Sequence, residues 1–119
     1  MTCTVLKAKL HQIRVTEANK EYEGSLTLDE DLMDAVGILH YEKLLVADLE
    51  NGNRFETYAI TGPRGSGVCC LNGATAHLGS VGDRLIVMVW CQLTEAEQQA
   101  HQPKAVRLNE KNQIVAAAV

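Results

Sequence analysis

The longest uninterrupted apolar segment runs from Leu85 to Cys91, and this run limits the folds open to the chain. Its seven residues are far fewer than the ~20 that a membrane-spanning helix needs. A short apolar run of this kind is typical of a strand that is buried on both faces. We therefore predict a central β-strand over Leu85 to Leu93, around which the other elements pack.

Most of the remaining chain also has the pattern of strands. In the segment that begins at Thr2, the apolar positions change parity between Leu10 and Ile13, which predicts a bulge or bend within one strand. The Asn51-Gly52 pair lies between two extended segments and predicts a hairpin. The predicted strands are Thr2 to Val15, Tyr22 to Leu28, Leu44 to Leu49, Arg54 to Ile60 and Val68 to Leu71.

Only two segments predict helices, and both are short. Asp29 to Val36 has acidic residues in its first turn and is followed by Gly37, and Thr94 to Ala100 begins with a capping box. The tail is expected to form a further hairpin around Asn109 to Asn112. Many short strands, Gly-rich turns and two small helices predict a mainly β fold of the barrel type.

Length and composition indicate one soluble domain over residues 1–119. Eleven basic and fifteen acidic residues give a net charge of −4, which argues against a nucleic-acid partner because such binding needs a basic face. The basic residues within Met1 to Val15 argue against a signal peptide. The cysteines lack metal-ligand spacing, which favours buried thiols in a reducing compartment over a redox or metal role. They are Cys3, Cys69, Cys70 and Cys91. We therefore expect a cytoplasmic protein without a membrane partner.

None of the common catalytic signatures is present, but polar residues gather in four places. These are Lys9 to His11, Tyr22 to Ser25, Arg54 to Tyr58 and Asn72 to Thr75. Taken singly, each has an ordinary structural explanation, because Asn-Gly forms turns and a tyrosine is a common strand residue. No one of the four would identify a site on its own.

Taken in order, these segments resemble the pyruvoyl-dependent aspartate decarboxylase family, from about Leu6 to Ile86. One departure is Thr75, where relatives commonly have alanine, so that a hydroxyl could touch the substrate. The matching segments are Lys9-Leu10-His11, Tyr22-Glu23-Gly24-Ser25, Asn51-Gly52, Arg54, Thr57-Tyr58-Ala59-Ile60, Arg64-Gly65-Ser66, Asn72-Gly73-Ala74, Ala76-His77 and Val81-Gly82-Asp83.

The resemblance implies both an architecture and an activity. The implied fold is a six-stranded double-psi β-barrel with short capping helices, assembled as a homotetramer with active sites between neighbouring subunits. The implied reaction converts L-aspartate to β-alanine and carbon dioxide for pantothenate biosynthesis. It would use neither a metal nor pyridoxal phosphate.

Decarboxylation needs an electron sink that no unmodified side chain provides. The resemblance implies that the Ser25 hydroxyl attacks the Gly24 carbonyl and that the chain then separates into residues 1–24 and 25–119. Ser25 becomes a pyruvoyl group, which forms a Schiff base with the substrate. Gly24 suits this step because it lacks a Cβ and accepts strained dihedrals. Thr57 and Asn72 are expected to assist the cleavage.

The remaining roles also follow from the resemblance. Tyr58 is expected to donate the proton that replaces carbon dioxide, and Arg54, with Lys9 nearby, is expected to bind the second carboxylate of the substrate. Thr57 and the backbone N–H groups of a Gly-rich turn are expected to complete the substrate contacts. Two further residues are expected to contact these groups without touching the substrate. The turn comprises Gly73, Ala74 and Thr75, and the supporting residues are His11 and Tyr22.

Two other classes of protein fit parts of the sequence. A binding module or barrel transcription factor could share the fold, but it should carry a basic face. An enzyme based on Lys9 or Cys70 would need no pyruvoyl group. Either protein would remain one uncleaved chain, and the enzyme would lose its activity when that single residue was changed.

Overall fold

The computed structural model describes residues 1–118, which form nine strands, two α-helices and one 3₁₀ helix. None of the helices in that range is long and apolar enough to cross a membrane. The strands are β1 (Thr2–Arg14), β2 (Glu17–Asn19), β3 (Ser25–Asp29), β4 (Lys43–Asp48), β5 (Arg54–Gly62), β6 (Cys69–Asn72), β7 (Arg84–Thr94), β8 (Lys104–Leu108) and β9 (Ile114–Ala117). The helices are α1 (Glu30–Val36), α2 (Glu95–Gln99) and the 3₁₀ helix Gly73–His77.

The strands form one sheet in the order β2-β6-β3-β5-β4-β7-β1-β8-β9. Only Val15 and Thr16 separate β1 from β2, and the Thr16 backbone N–H donates to the Cys69 carbonyl at 2.9 Å. The sheet must therefore curl until β6 lies beside the end of β1, which gives it a barrel-like shape. The mainly β class with short helices is confirmed. The sheet has nine strands instead of six. One extra strand is β2, which pairs with β6, and the other two are β8 and β9, which form a hairpin.

The longest pairing joins β1 and β7, from Thr2 opposite Thr94 to Arg14 opposite Arg84. Its register shifts once between Leu6 and Ala8 and again beyond His11. These irregularities confirm the bend predicted within the first strand. The predicted central strand is confirmed as β7, which lies between β4 and β1.

Local capping signals set the ends of both α-helices. The Asp29 carboxylate accepts from the Asp31 backbone N–H at 2.8 Å at the start of α1, and Gly37 ends that helix with a φ of 77°. Thr94 and Glu97 form the predicted capping box at the start of α2. Each signal acts within four residues of sequence, which is why the helices could be predicted.

The predicted strand over Tyr22 to Leu28 is wrong in its first half. Residues Tyr22 to Gly24 form an exposed turn, and β3 begins only at Ser25, which is 4% exposed. The bond between Gly24 and Ser25 therefore joins an exposed turn to a buried strand. This boundary lies inside the segment that resembles the family's cleavage site.

The two neighbouring cysteines of β6 point to opposite faces of the strand, as predicted. Cys69 packs in the core, where burial raises the pKa of its thiol, and Cys70 lines a cleft. Cys3 is exposed and Cys91 is half-buried, so the prediction of buried thiols is correct for Cys69 and Cys70. Within residues 1–118, no group of three His, Cys, Asp or Glu side chains is arranged to hold a metal ion.

Candidate active site

The antiparallel pairing of β3 and β6 places four chemically useful side chains on one surface. Ser25 lies opposite Asn72, and Thr27 lies opposite Cys70. Because side chains two apart on a strand share a face, all four point to the same side of the sheet. That side forms one wall of an open cleft of ≈ 820 Å³.

The Asn72 side chain is the centre of this group. Its Nδ2 donates to Ser25 Oγ at 3.0 Å and to Thr27 Oγ1 at 2.8 Å. Its Oδ1 accepts from the Cys70 thiol at 3.1 Å. Both ends of the amide are engaged, so its nitrogen is directed at the Ser25 hydroxyl.

The Thr75 side chain lies close to the backbone carbonyl group of the same serine. Its hydroxyl donates to the Asn72 carbonyl at 2.8 Å and lies 3.4 Å from the Ser25 carbonyl oxygen. The residue is 6% exposed and lies outside the cleft lining. The Thr75 hydroxyl, a candidate substrate contact from the sequence, thus faces two backbone oxygens of the protein.

Gly73 is the tightest backbone position of the site. It adopts a φ of +63°, and a Cβ there would lie 2.7 Å from Gly24 N, from Gly24 Cα and from the Tyr22 carbonyl oxygen. By contrast, the nearest atom to a Cβ on Gly24 would be 3.9 Å away, and the φ of Gly24 is not positive. Neither crowding nor a positive φ therefore requires glycine at position 24, whereas both require it at position 73.

Tyr58 lies beside Ser25 on the adjacent strand. The parallel register of β3 and β5 sets Leu26 opposite Ala59, so the preceding residues, Ser25 and Tyr58, are also neighbours. Tyr58 is 37% exposed and lines the cleft together with Ser25. The structure thus brings together the serine and the phenol that the sequence singled out. Thr57 alternates with Tyr58 and lies on the other face of β5.

The predicted cationic residues lie outside this cleft. Lys9 is in β1, and three strands separate β1 from β3 in the sheet order. Arg54 begins β5, four residues before Tyr58. Neither cation is among the residues that line the cleft in one protomer.

His11 lies near Lys9 on β1, in a basic environment. Burial lowers the pKa of its imidazole, and the charges of Lys9, Arg107 and Arg84 lower it further. Its Nδ1 is buried and has no hydrogen-bond partner among residues 1–118. Tyr22, the other predicted supporting residue, is 65% exposed and lines the cleft.

The mouth of the cleft is acidic. Glu17, Glu21 and Glu23 line it together with Ser25. No role was predicted from the sequence for these glutamates or for Thr27, and Cys70 was considered only as the basis of an alternative, uncleaved enzyme. Thr27 and Cys70 had a usable signal, because each lies two residues from a predicted site residue on the same strand.

The fold and the cleft define a small β-barrel enzyme, in which a buried serine, an amide and a phenol share one site. Comparison with known proteins gives the family. Residues 1–115 match the aspartate decarboxylase family. The chain therefore belongs to that family, which confirms the resemblance.

Individual relatives agree over nearly the whole chain. The aspartate 1-decarboxylase of Caldicellulosiruptor saccharolyticus is 54% identical over 115 residues, which cover 97% of this chain and 90% of the relative. That of Halalkalibacterium halodurans is 56% identical over 112 residues, with 94% and 88% covered. That of Syntrophobacter fumaroxidans is 56% identical over 108 residues, with 91% and 87% covered.

The contact at Gly73 predicts a large effect of one methyl group. We expect Gly73→Ala to lower the free energy of unfolding by about 1–3 kcal/mol more than Gly52→Ala does. Gly52 is the matched control, because it has a φ of +76° but no atom within 4 Å of the position that a Cβ would take. Urea unfolding of the two variants, each made with Ser25→Ala to keep one chain, measures the difference. Equal losses of unfolding free energy in the two variants would show that a Cβ at position 73 does not clash with the backbone at Gly24.

Proposed function

We propose that this protein decarboxylates L-aspartate to β-alanine and carbon dioxide, supplying pantothenate biosynthesis, and that its reactive group is a pyruvoyl formed from Ser25. Membership of the aspartate decarboxylase family and the names of the relatives support the reaction. The observation that carries the proposal is the environment of Ser25. Its buried hydroxyl follows an exposed glycine and accepts a hydrogen bond from Asn72 at 3.0 Å.

The residues present fit the formation of that group. In the proposed cleavage, Ser25 Oγ bonds to the Gly24 carbonyl carbon, and the hydroxyl proton passes to the peptide nitrogen, which leaves as the amine of Ser25. Elimination then removes the Cα proton of Ser25, breaks the bond between its Cβ and Oγ, and releases the Gly24 carboxylate. Hydrolysis with loss of ammonia leaves the ketone at residue 25. Asn72 donates to Ser25 Oγ at 3.0 Å. Thr57 lies on the other face of β5 from Tyr58, so its proposed support of the Gly24 carbonyl oxygen rests on the family resemblance alone.

The pyruvoyl group supplies an electron sink for the bond that breaks when carbon dioxide leaves. The protein must then deliver a proton to the reacting carbon. Tyr58 is the proposed donor, because its phenol O–H lies in the cleft beside Ser25. Backbone N–H groups of Gly73, Ala74 and Thr75, at the start of the 3₁₀ helix, are proposed to bind a substrate carboxylate.

The charge of the cleft argues for a site shared between subunits. Aspartate has two carboxylates, whereas the cleft of one protomer is lined by Glu17, Glu21 and Glu23. We propose a homotetramer in which a neighbouring subunit brings Arg54 and Lys9 to the cleft. An exposed tryptophan supports such an assembly, because Trp90 is 43% exposed beside a shallow groove on β4 and β7.

An uncleaved enzyme based on Cys70 or Lys9 is the second candidate, and the geometry disfavours it. Burial raises the pKa of the Cys70 thiol to about 11, with a further contribution from Glu17, so the nucleophilic thiolate is scarce at neutral pH. Lys9 lies outside the cleft.

The first prediction is self-cleavage. Denaturing mass spectrometry of the purified protein should show fragments of residues 1–24 and 25–119, the larger with a blocked amino end, and Ser25→Ala should remain one chain. Ser66→Ala is the matched control, because Ser66 also follows a glycine and lines the same cleft. An intact parent chain after long incubation, with and without cell extract, would contradict the proposal.

The second prediction separates cleavage from turnover through Tyr58. Tyr58→Phe should cleave like the parent but form β-alanine ~10²–10⁴-fold more slowly, because only the proton donor is lost. Tyr41→Phe is the matched control, since its ring centroid lies 6.3 Å from that of Tyr58 but outside the cleft lining. β-Alanine formation at parental rates in the Tyr58 variant would leave Tyr58 as a strand residue without a catalytic role.

The third prediction tests the shared site with mixed oligomers. Arg54→Ala alone should lower kcat/KM for aspartate by the equivalent of about 2–4 kcal/mol, through loss of a charge-assisted pair. Co-expressed with Ser25→Ala, it should form mixed oligomers that regain part of the activity, because one site then combines an intact serine with an intact arginine. Co-expression of Ser25→Ala with Tyr58→Phe should not regain activity, since both residues lie in one protomer's cleft. If the Arg54 mixture were no more active than its parts, Arg54 would not act across a subunit boundary.

A further inference from the structure

Two side chains on the floor of the cleft contact the Asn72 amide from opposite sides. The Cys70 thiol donates to Asn72 Oδ1 at 3.1 Å, and Thr27 Oγ1 accepts from Asn72 Nδ2 at 2.8 Å. The β3–β6 register fixes both contacts, because Thr27 lies opposite Cys70 just as Ser25 lies opposite Asn72. Neither Cys70 nor Thr27 forms a hydrogen bond with Ser25, so each is linked to the serine hydroxyl only through the Asn72 amide.

We propose that Cys70 and Thr27 are positioning residues, which hold the Asn72 amide with its nitrogen directed at the Ser25 hydroxyl. The inference rests on the proposed function of Ser25 as the nucleophile that cleaves the chain. It concerns the orientation of one amide group, which has a donor end and an acceptor end of nearly equal size.

The orientation of the amide decides what Ser25 meets as it reacts. With Nδ2 toward Ser25, the amide donates to Ser25 Oγ, which gains negative charge when the bond between Cβ and Oγ breaks and the Gly24 carboxylate leaves. A reversed amide would present Oδ1, whose lone pairs repel that charge. The two orientations therefore differ in cleavage rate even though they fill the same space.

Cys70 can select between the two orientations because its sulfur carries a proton. A thiol donates through S–H and is a weak acceptor, so it favours Oδ1 over Nδ2 as its neighbour. Burial raises the pKa of the Cys70 thiol to about 11, with a further contribution from Glu17, so the sulfur keeps its proton at neutral pH. Thr27 complements this selection by accepting the second proton of Nδ2.

The first arm of the test measures the rate of self-cleavage by mass spectrometry in freshly purified precursor. Cys70→Ala should slow cleavage about two- to tenfold, the value of one hydrogen bond, and Cys70→Ser should restore most of the rate because it keeps a donor. Thr27→Val and Thr27→Ser form the equivalent pair. Cys69→Ala is the matched control. It removes a sulfur atom from the neighbouring residue, whose side chain packs in the core on the other face of β6.

Coupling distinguishes positioning from a general structural effect. In an Asn72→Ala background, Cys70→Ala should cause no further loss of rate, because the residue through which Cys70 acts is missing. An additional loss there, or an equal loss in Cys69→Ala, would overturn the proposal.

The second arm does not depend on cleavage. In the Ser25→Ala protein, which keeps one chain, NMR follows the hydrogen exchange of the Asn72 side-chain N–H₂ protons. Cys70→Ala and Thr27→Val should each accelerate that exchange, whereas Cys70→Ser and Thr27→Ser should not. Unchanged exchange in the alanine and valine variants would overturn the positioning role. An intact parent chain with the expected exchange pattern would instead contradict only the proposed cleavage.

Discussion

The hydrogen bond from Asn72 Nδ2 to Ser25 Oγ is the interaction on which the site depends, and the pairing of β3 with β6 creates it. This antiparallel register places the serine directly opposite the amide and sets Thr27 opposite Cys70. A shift of either strand by one residue would turn that strand's two side chains to the core face and separate them from the other two, because strand side chains alternate. The hydrophobic residues Leu26 and Leu71, fully buried on that other face, prevent such a shift. The packing of the core therefore fixes the chemistry of the cleft.

The sequence predicted best those features that are determined within a few residues. The capped helix α1, the capping box at Thr94, the hairpin at Asn51-Gly52 and the central strand β7 all depend on local patterns, and all are present. The separate pairing of β2 and the exposed turn before Ser25 depend on contacts with β6, which lies some 50 residues away in sequence, and local patterns do not report them. The same division between local and long-range features holds for the site. The motifs identified Ser25 and Tyr58, but they could not show that Gly73, rather than Gly24, is the crowded glycine.

Charge is distributed unevenly around the barrel. The cleft has three glutamates at its mouth, whereas Lys9 and Arg107 lie close to His11 on β1 and β8. Opposite charges on separate parts of one molecule favour contact between copies, because the two cations of one complement the acidic mouth of another. The three glutamates would also repel a free dicarboxylate from Ser25 in an isolated protomer. Substrate binding would then require an assembled protein.

The long pairing of β1 with β7 has a consequence for a chain that is cut between Gly24 and Ser25. The shorter piece, residues 1–24, contains all of β1 and β2, which pair with β7, β8 and β6. It therefore stays in place without a covalent link, held by backbone hydrogen bonds and by the buried side chains of Leu10 and Ile13. Once unfolded, however, the two pieces must find each other in solution, whereas the two ends of an intact chain are tethered at a high effective concentration. A chain that folds before it is cut avoids this search, and a protein that has been cut and then denatured is expected to regain its structure only in a concentration-dependent, second-order process.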